Sequence, residues 1–305
     1  MRPIVFEMET SDPDDFMTLL WLADHPELDL RAVLVTAGSR DQCQLIRWGL
    51  DHCGRQDVPI GALHGPGWWA SAEGSKARVS AFHYKVYGHA IHDHPVGEVV
   101  SGPELLAAVL REGAQSGAAT TVLVGSAPKN LGAAFRRDAS ITLPRWVQQG
   151  GFAGDNLVAA PLEKFRGKTT CPSFNPGGAP KQTLELLASP RIARRLFVSK
   201  NVCHGVVWTR AMHAALEARL EGRGRRVGLA TMIAALDRYL VDKGVGKAMH
   251  DIVAATCVVD EAVCERAEVE IYRARGEWGA RAAAGTDTFI SIGFDEGRFL
   301  DVLAG

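Results

Sequence analysis

Between residues 7 and 15 the chain reads Glu7-Met8-Glu9-Thr10-Ser11-Asp12-Pro13-Asp14-Asp15, five carboxylates in nine residues. Like charges packed this closely raise one another's pKa and cost stability unless a cation relieves them. An all-oxygen donor set suits a hard divalent ion, Ca²⁺ or Mg²⁺, and no thiolate or imidazole in the stretch favours zinc. A plainer use exists for some of these acids. Asp12, Asp14 and Asp15 precede an apolar run, where a side-chain cap and negative charge both stabilise the first turn of a helix. Three acids at one helix start, with two more before them, exceed that need, so the cluster points to a cation site. On this chemistry alone more than one kind of metal-dependent hydrolase is open, a phosphoesterase among them.

The elements that must position these residues follow from periodicity. Ile4-Val5-Phe6 is a short apolar run, and Phe16 to Ala23 has helical spacing that Pro26 ends. Leu30 to Thr36 then reads as a buried strand closing at Ala37-Gly38-Ser39. Strand, helix and strand in this order make a right-handed βαβ unit with parallel strands. The acidic stretch therefore lies in the loop at the first strand's carboxyl end, where open α/β sheets bind ligands. The alternation continues. Helices are predicted over 42–54, 102–113, 131–137 and 181–187, with strands over 58–61, 120–124 and 146–148 and another within 200–208. The tail differs, with 268–275 and 286–294 reading as strands that pair antiparallel and 296–303 as a closing helix. The expected fold is α/β, a doubly wound, mainly parallel sheet flanked by helices with a short antiparallel C-terminal extension, in one domain spanning 1–305. The segment 68–100 is the longest stretch without clear periodicity, and such loops are commonly functional.

Composition narrows the partners. With 47% apolar and 23% charged residues the chain can bury a sizeable core, and a net charge of −1 provides no field to draw in nucleic acid or an anionic membrane. No apolar run reaches the roughly 18 residues that span a bilayer. The start of the chain leads into the acidic stretch instead of a signal-peptide core, so a cytoplasmic location is expected. Six cysteines, at 43, 53, 171, 203, 257 and 264, contain no C-x-x-C pair and are expected to be reduced and buried.

The acidic stretch resembles the signature of the inosine-uridine nucleoside hydrolase family, Asp-x-Asp-Pro-Gly-x-Asp-Asp, between the first strand and the first helix. Asp14 and Asp15 match its final pair. Its first two aspartates fit best on Glu7 and Glu9 if the loop carries one extra residue, and on Met8 and Thr10 if it does not. Val35-Thr36-Ala37-Gly38-Ser39 is similar to the family's Val-x-Gly-Asn turn, with Ser39 where a substrate-binding Asn is usual. Val122 to Leu131 is similar to its Thr-Gly-Pro-Leu-Thr-Asn-Leu segment, and Gln149-Gly150-Gly151-Phe152 to its Met-Gly-Gly turn. Phe174-Asn175 resembles the end of its Glu-Phe-Asn motif, with Ser173 in place of the Glu, and Met249-His250-Asp251 resembles its late His-Asp-Pro motif.

The resemblance implies a Ca²⁺-dependent hydrolase that cleaves the N-glycosidic bond of a nucleoside or related ribosyl compound. It implies metal ligation by Asp15, Asp251, Glu9 and a backbone carbonyl at Gly125 or Ser126, and proton removal from water by Glu9. Asp14, Ser39 and Asn175 would hold the sugar, and His250 would face the leaving base as a general acid, or else serve as a capping or core histidine. The substrate is then a small molecule, and a homo-oligomer is possible. Aromatic residues Trp68, Trp69, His83, Tyr84, Tyr87 and His89 could stack on a base or pack within their own loop. A basic insert with Lys164, Arg166 and Lys168 could meet a phosphate or be a solvated surface loop. The alternative function on the same fold is a divergent protein that binds or senses a ribosylated ligand with weak or no turnover.

Overall fold

The computed structural model describes residues 1–64, 69 and 77–305. Its strands are β1 Arg2–Met8, β2 Leu28–Val35, β3 Ile60–Ala62, β4 Val99–Ser101, β5 Thr121–Val124, β6 Leu143–Gln149, β7 Thr170–Cys171, β8 Ile192–Val198, β9 Val207–Trp208, β10 Lys247–Ala248, β11 Arg266–Ala274, β12 Glu277–Ala282 and β13 Thr288–Ser291. The helices are α1 Pro13–Ala23, α2 Arg40–His52, α3 Ala81–Tyr87, α4 Gly102–Ser116, α5 Lys129–Arg137, α6 Phe174–Gly178, α7 Pro180–Leu187, α8 Lys200–Cys203, α9 Arg210–Leu220, α10 Val227–Lys243, α11 Asp251–Val259 and α12 Glu296–Ala304.

The main sheet runs β4-β3-β2-β1-β5-β6-β8-β13-β11-β12-β7. From β4 through β13 every pair is parallel, and from β13 to β7 every pair is antiparallel. The expected class is thus observed, including the antiparallel end. Chain order reverses between β1 and β5, and in open α/β sheets that reversal opens a crevice beyond the strand ends.

Side-chain alternation sends the two faces of each strand into different cores. Ile4, Phe6 and Met8 join the helices α1, α2, α10, α11 and α12 in one cluster, whereas Val5, Ala32 and Leu34 join α4, α5 and α7 in the other. Both faces being apolar, the central strands read as continuous hydrophobic runs, as buried parallel strands do.

Several elements lie outside the sequence expectation. β8 was not anticipated because Arg194 and Arg195 interrupt its apolar run. Arg195 is nevertheless buried and donates to the carbonyls of Leu186 and Ser189, and Arg194 pairs with Glu261 at 2.8 Å and lies over the Phe289 ring. The segment 200–208, read as containing a strand, holds only the two-residue β9, which pairs with β10, and begins with the short helix α8. The hairpin strand β12 and the helices α9 and α10 were also missed. Within the long segment after residue 68, α3 forms and buries His83 against Phe16. No helix among the described residues is long and apolar enough to cross a membrane.

Candidate functional site

A cavity of about 340 Å³ opens at the switch point, lined by Glu9, Ser11, Asp12, Asp14, Asp15, Gly125, Gln149, Ser173, Phe174, Asn175, Lys200, His204, His250 and Asp251. Its volume lies in the range of small-ligand pockets, about 300–1,000 Å³. The β1 loop, the β5 end, the β6 end and the α11 start all meet there, as strand-end topology requires.

The structure divides the five N-terminal acids among distinct tasks. Glu7 falls on the same face of β1 as Val5, which aims its carboxylate at the first turn of α5. Its oxygens accept from Asn130 N at 2.7 Å, Leu131 N at 3.1 Å, Asn130 Nδ2 at 3.1 Å and Thr36 Oγ1 at 3.0 Å. A carboxylate at a helix N-terminus satisfies orphan N–H groups and meets a favourable dipole. Glu7 is therefore a buried fastener outside the cavity. Burial raises its pKa, and the hydrogen bonds from Asn130, Leu131 and Thr36 oppose the rise.

Asp12 is the N-cap of α1, accepting from Asp14 N at 3.1 Å. Asp14 Oδ2 in turn accepts from His250 N at 2.6 Å and Asp251 N at 2.9 Å, pinning the start of α11. Both acids share one cation that sequence reasoning overlooked. Lys247, only 3% exposed, places Nζ 2.7 Å from Asp12 Oδ1 and 3.4 Å from Asp14 Oδ1 and donates to Ala248 O. Burial alone would lower the lysine's pKa, and the charges of Asp14 and Asp12 outweigh it and hold the pKa raised. Asp14 is lowered despite burial, through Lys247, a hydrogen bond from Asp12 and the two backbone N–H groups. Asp12 is pushed up to about 6 by burial first and then by the charge of Asp14.

Glu9 and Asp15 remain, joined from the far end of the chain by Asp251. All three are buried in the cavity wall. Asp15 and Asp251 share a side-chain hydrogen bond, and both are raised well above the usual carboxylate range, by burial first and then by neighbouring acids that include Glu9. Gly125 permits this approach, since a Cβ there would come 2.6 Å from Asp251 Oδ2. The Gly125 carbonyl accepts from Asn175 Nδ2 at 2.9 Å, and the same amide nitrogen donates to Gln149 Oε1 at 2.6 Å. Asn175 is 6% exposed, and its Oδ1 has no hydrogen-bond partner among the described residues.

Two residues named from sequence are not in the cavity wall. The Ser39 hydroxyl closes the capping box of α2 with Gln42 and donates to Ala77 O at 2.9 Å, so the position has a structural task in place of the expected sugar contact. Ser126 is buried behind Gly125, with its carbonyl taken by Gln148 Nε2 at 3.1 Å; of the two proposed carbonyls, Gly125 belongs to the residue that faces the cavity. Ser173 does line it, but its hydroxyl accepts from Gly151 N at 2.9 Å. His250 precedes α11 and packs on His204 with ring centroids 4.8 Å apart. Burial first, then the charge of Lys247, lowers its pKa to about 4, so it is neutral at neutral pH.

Of the described aromatic residues, His83, Tyr84 and Tyr87 pack against neighbouring rings. Tyr87 meets Phe16 edge-on at 5.3 Å and Tyr84 stacks on His92 at 3.8 Å, with His89 beside it, while none of His83, Tyr84, Tyr87 or His89 lines the cavity. Trp69 is 40% exposed, and Trp68 lies outside the described residues. Lys200, His204 and Gln149 were missed because the strand that delivers the first two, β8, was missed, and because Gln149 counted only as part of a turn. Lys247 carried a readable signal: a lysine three residues before the His-Asp pair.

By sequence the chain matches no family model and no curated protein. By structure it is similar to a plant nucleoside hydrolase, with a TM-score of 0.67, 19% identity, and coverage of 99% of this chain and 97% of that one. An inosine-uridine preferring nucleoside hydrolase from Bacillus anthracis gives 0.70, 14%, 99% and 98%, and an inosine-guanosine nucleoside hydrolase gives 0.68, 14%, 100% and 98%. The fold is that of nucleoside hydrolases over the full length of the chain.

Proposed function

We propose that this cavity hydrolyses the N-glycosidic bond of a ribonucleoside or related ribosyl compound, with Ca²⁺ held by Glu9, Asp15, Asp251 and the Gly125 carbonyl. The observation that carries the reading is the buried Asp15–Asp251 pair at the switch point, whose repulsion a cation would relieve. The donors fit the ion, being carboxylate and carbonyl oxygens only, and Gly125 leaves room for Asp251 above it. Lys247 neutralises Asp12 and Asp14. Bound there, Ca²⁺ would supply an acidified water and an anchor for vicinal sugar hydroxyls.

The residues of the chain divide the remaining work. Glu9 takes the proton of the attacking water. Asn175 Oδ1, buried and without a partner among the described residues, accepts a ribose hydroxyl, and the Asp14 carboxylate accepts another. Fixing the sugar in this way aligns C1′ with the water. The new C1′–O bond forms as the C1′–N bond breaks, and the base departs with the electron pair and takes a proton from solvent, which balances the proton that Glu9 removes from the water. His250 lines the cavity and meets that base as a neutral imidazole, donating a hydrogen bond where the resemblance implies a general acid.

A binding protein on the same fold is the second reading, favoured by Ser173, whose hydroxyl already serves Gly151 and whose position lacks a carboxylate. One experiment separates them: release of base and reducing sugar from common nucleosides with added Ca²⁺, for the wild type and Asp15→Ala. Turnover that Asp15→Ala abolishes supports the hydrolase. Binding without turnover supports the second reading, and turnover that survives Asp15→Ala refutes the mechanism. Calorimetry showing no Ca²⁺ binding would remove the metal.

A further inference from the structure

We infer that the substrate carries a phosphate on its ribosyl group, received by Lys200 and His204 in the cavity wall and by Lys164, which is bonded to His204. This deepens the hydrolase reading and rests on it. The insert that brings Lys164 is anchored, with Phe165 packing edge-on against Phe152 at 5.2 Å and against His204 at 5.6 Å. Lys164 Nζ lies 5.2 Å and Lys200 Nζ 5.5 Å from the centroid of the Phe165 ring, so both ammonium groups pack on the same aromatic side chain. Lys164 donates to His204 Nδ1 at 3.0 Å, and Lys200 donates to Pro172 O at 2.8 Å and to Cys171 Sγ at 3.5 Å, which leaves Lys164 two further N–H donors and Lys200 one. With Nδ1 accepting, the neutral His204 ring carries its proton on Nε2 and is a donor as well. Neither lysine is ion-paired among the described residues, although the chain holds more acids than bases.

The cavity wall thus carries both kinds of group, with Glu9, Asp15 and Asp251 as one set and Lys200 with His204 as the other. A neutral nucleoside would use only the first set. A nucleoside 5′-monophosphate or another ribosyl phosphate monoester would use both, its diol toward the acids and its dianion toward the lysines. A second metal is the competing occupant, because Cys203, His204 and His250 each offer a ligand atom within 4.8 Å of the others. Two facts oppose it. Gln149 Nε2 donates to Cys203 Sγ, and burial pushes that thiol up to about 12, so it stays protonated. The adjacent lysines repel a cation and attract an anion.

The test compares ribose with ribose 5-phosphate by calorimetry on the Ca²⁺-supplemented full chain, and adenosine with its 5′-monophosphate by base release. The proteins are the wild type, Lys164→Ala and the double variant with Lys200→Met. The expected wild-type result is a preference of about tenfold or more for the phosphorylated partner of each pair, the scale of one charge-assisted hydrogen bond. That ratio should fall several-fold in Lys164→Ala and approach one in the double variant. Lys164 is exposed, so its replacement leaves the fold intact even if the double variant fails. Equal binding of ribose and ribose 5-phosphate, or a preference unchanged in Lys164→Ala, overturns the inference. Nucleoside turnover without phosphate preference removes the phosphate site alone. Lysine-dependent binding of ribose 5-phosphate with no turnover of either substrate instead removes the hydrolase reading.

Discussion

Replacing Lys247 by Met keeps the length of the side chain and removes the one charge that neutralises Asp14. Lys247 and Asp14 are nearly inaccessible, with side chains 4% and 2% exposed, whereas Asp12 is 46% exposed and can return to water. The loss therefore falls mainly on Asp14. Removing one member of a buried pair costs about 3–5 kcal/mol, because the other charge stays buried. At about 2.1 cal/mol/K per residue, a chain of 305 residues unfolds with an entropy near 0.6 kcal/mol/K, so the melting temperature should drop by about 5–8 °C at pH 7. The deficit must depend on pH. The lowered pKa of Asp14 means that its contribution is present above the unfolded value near 4 and is lost as pH falls through the still lower folded value. Without the ammonium, burial raises Asp14, and the variant takes up a proton as it approaches pH 4 from above. Thermal melts of both proteins at intervals from pH 7 to 4 should show the gap closing. A variant as stable as the wild type at pH 7, or a gap constant down to pH 4, would refute the assignment of Lys247 as the counter-charge of Asp14.

Three further outcomes follow from the geometry. Glu7→Ala strands donors on Asn130, Leu131 and Thr36 and should cost about 3 kcal/mol or more in urea denaturation, while Ca²⁺ affinity measured on the folded protein stays within about twofold; Glu9→Ala should show the reverse pattern. Gly125→Ala drives a Cβ to 2.6 Å from Asp251 Oδ2, so calorimetry should find Ca²⁺ affinity reduced by about tenfold or more, the scale of a disturbed ligand shell. His25, held down to about 4 by burial and then by Arg226, accepts from Glu27 N through Nδ1. Its imidazole signals should remain those of the neutral form until about pH 4, and its contribution to stability, complete above 6.5, should be lost as pH falls through about 4. A His25 titration near 6.5 in the folded protein would contradict this.

The order of the parallel elements and the position of the acidic loop were readable because buried strands and amphipathic helices leave distinct periods in the sequence. β8 was not, since Arg194 and Arg195 look like surface residues until Glu261, Phe289 and the carbonyls of Leu186 and Ser189 are brought to them by tertiary contact. The candidate site was readable to a similar depth. Glu9, Asp14, Asp15, Gly125, Asn175, His250 and Asp251 converge on one cavity. What spacing could not reveal was the division of labour: Glu7 and Glu9 are two residues apart, and the parity of β1 sends Glu7 to the turn of α5 while the chain leaves the strand before Glu9. Nor could it reveal that the same cavity has a lysine in its wall and a second one bonded to His204, because Lys164 and Lys200 are brought onto one aromatic ring, Phe165, only by tertiary packing.

The bonds from His250 N and Asp251 N to Asp14 join residues 236 and 237 positions apart, and Lys247 reaches Asp14 across 233. A nascent chain emerging from the ribosome therefore carries the acidic loop for most of its synthesis with neither its ammonium nor the helix start that its carboxylates hold. The last sixty residues complete the electrostatics of the first fifteen, so a chain shortened before Lys247 is expected to expose its acids as a solvated loop, and a C-terminal fragment supplied separately is the natural candidate to restore the cavity by complementation.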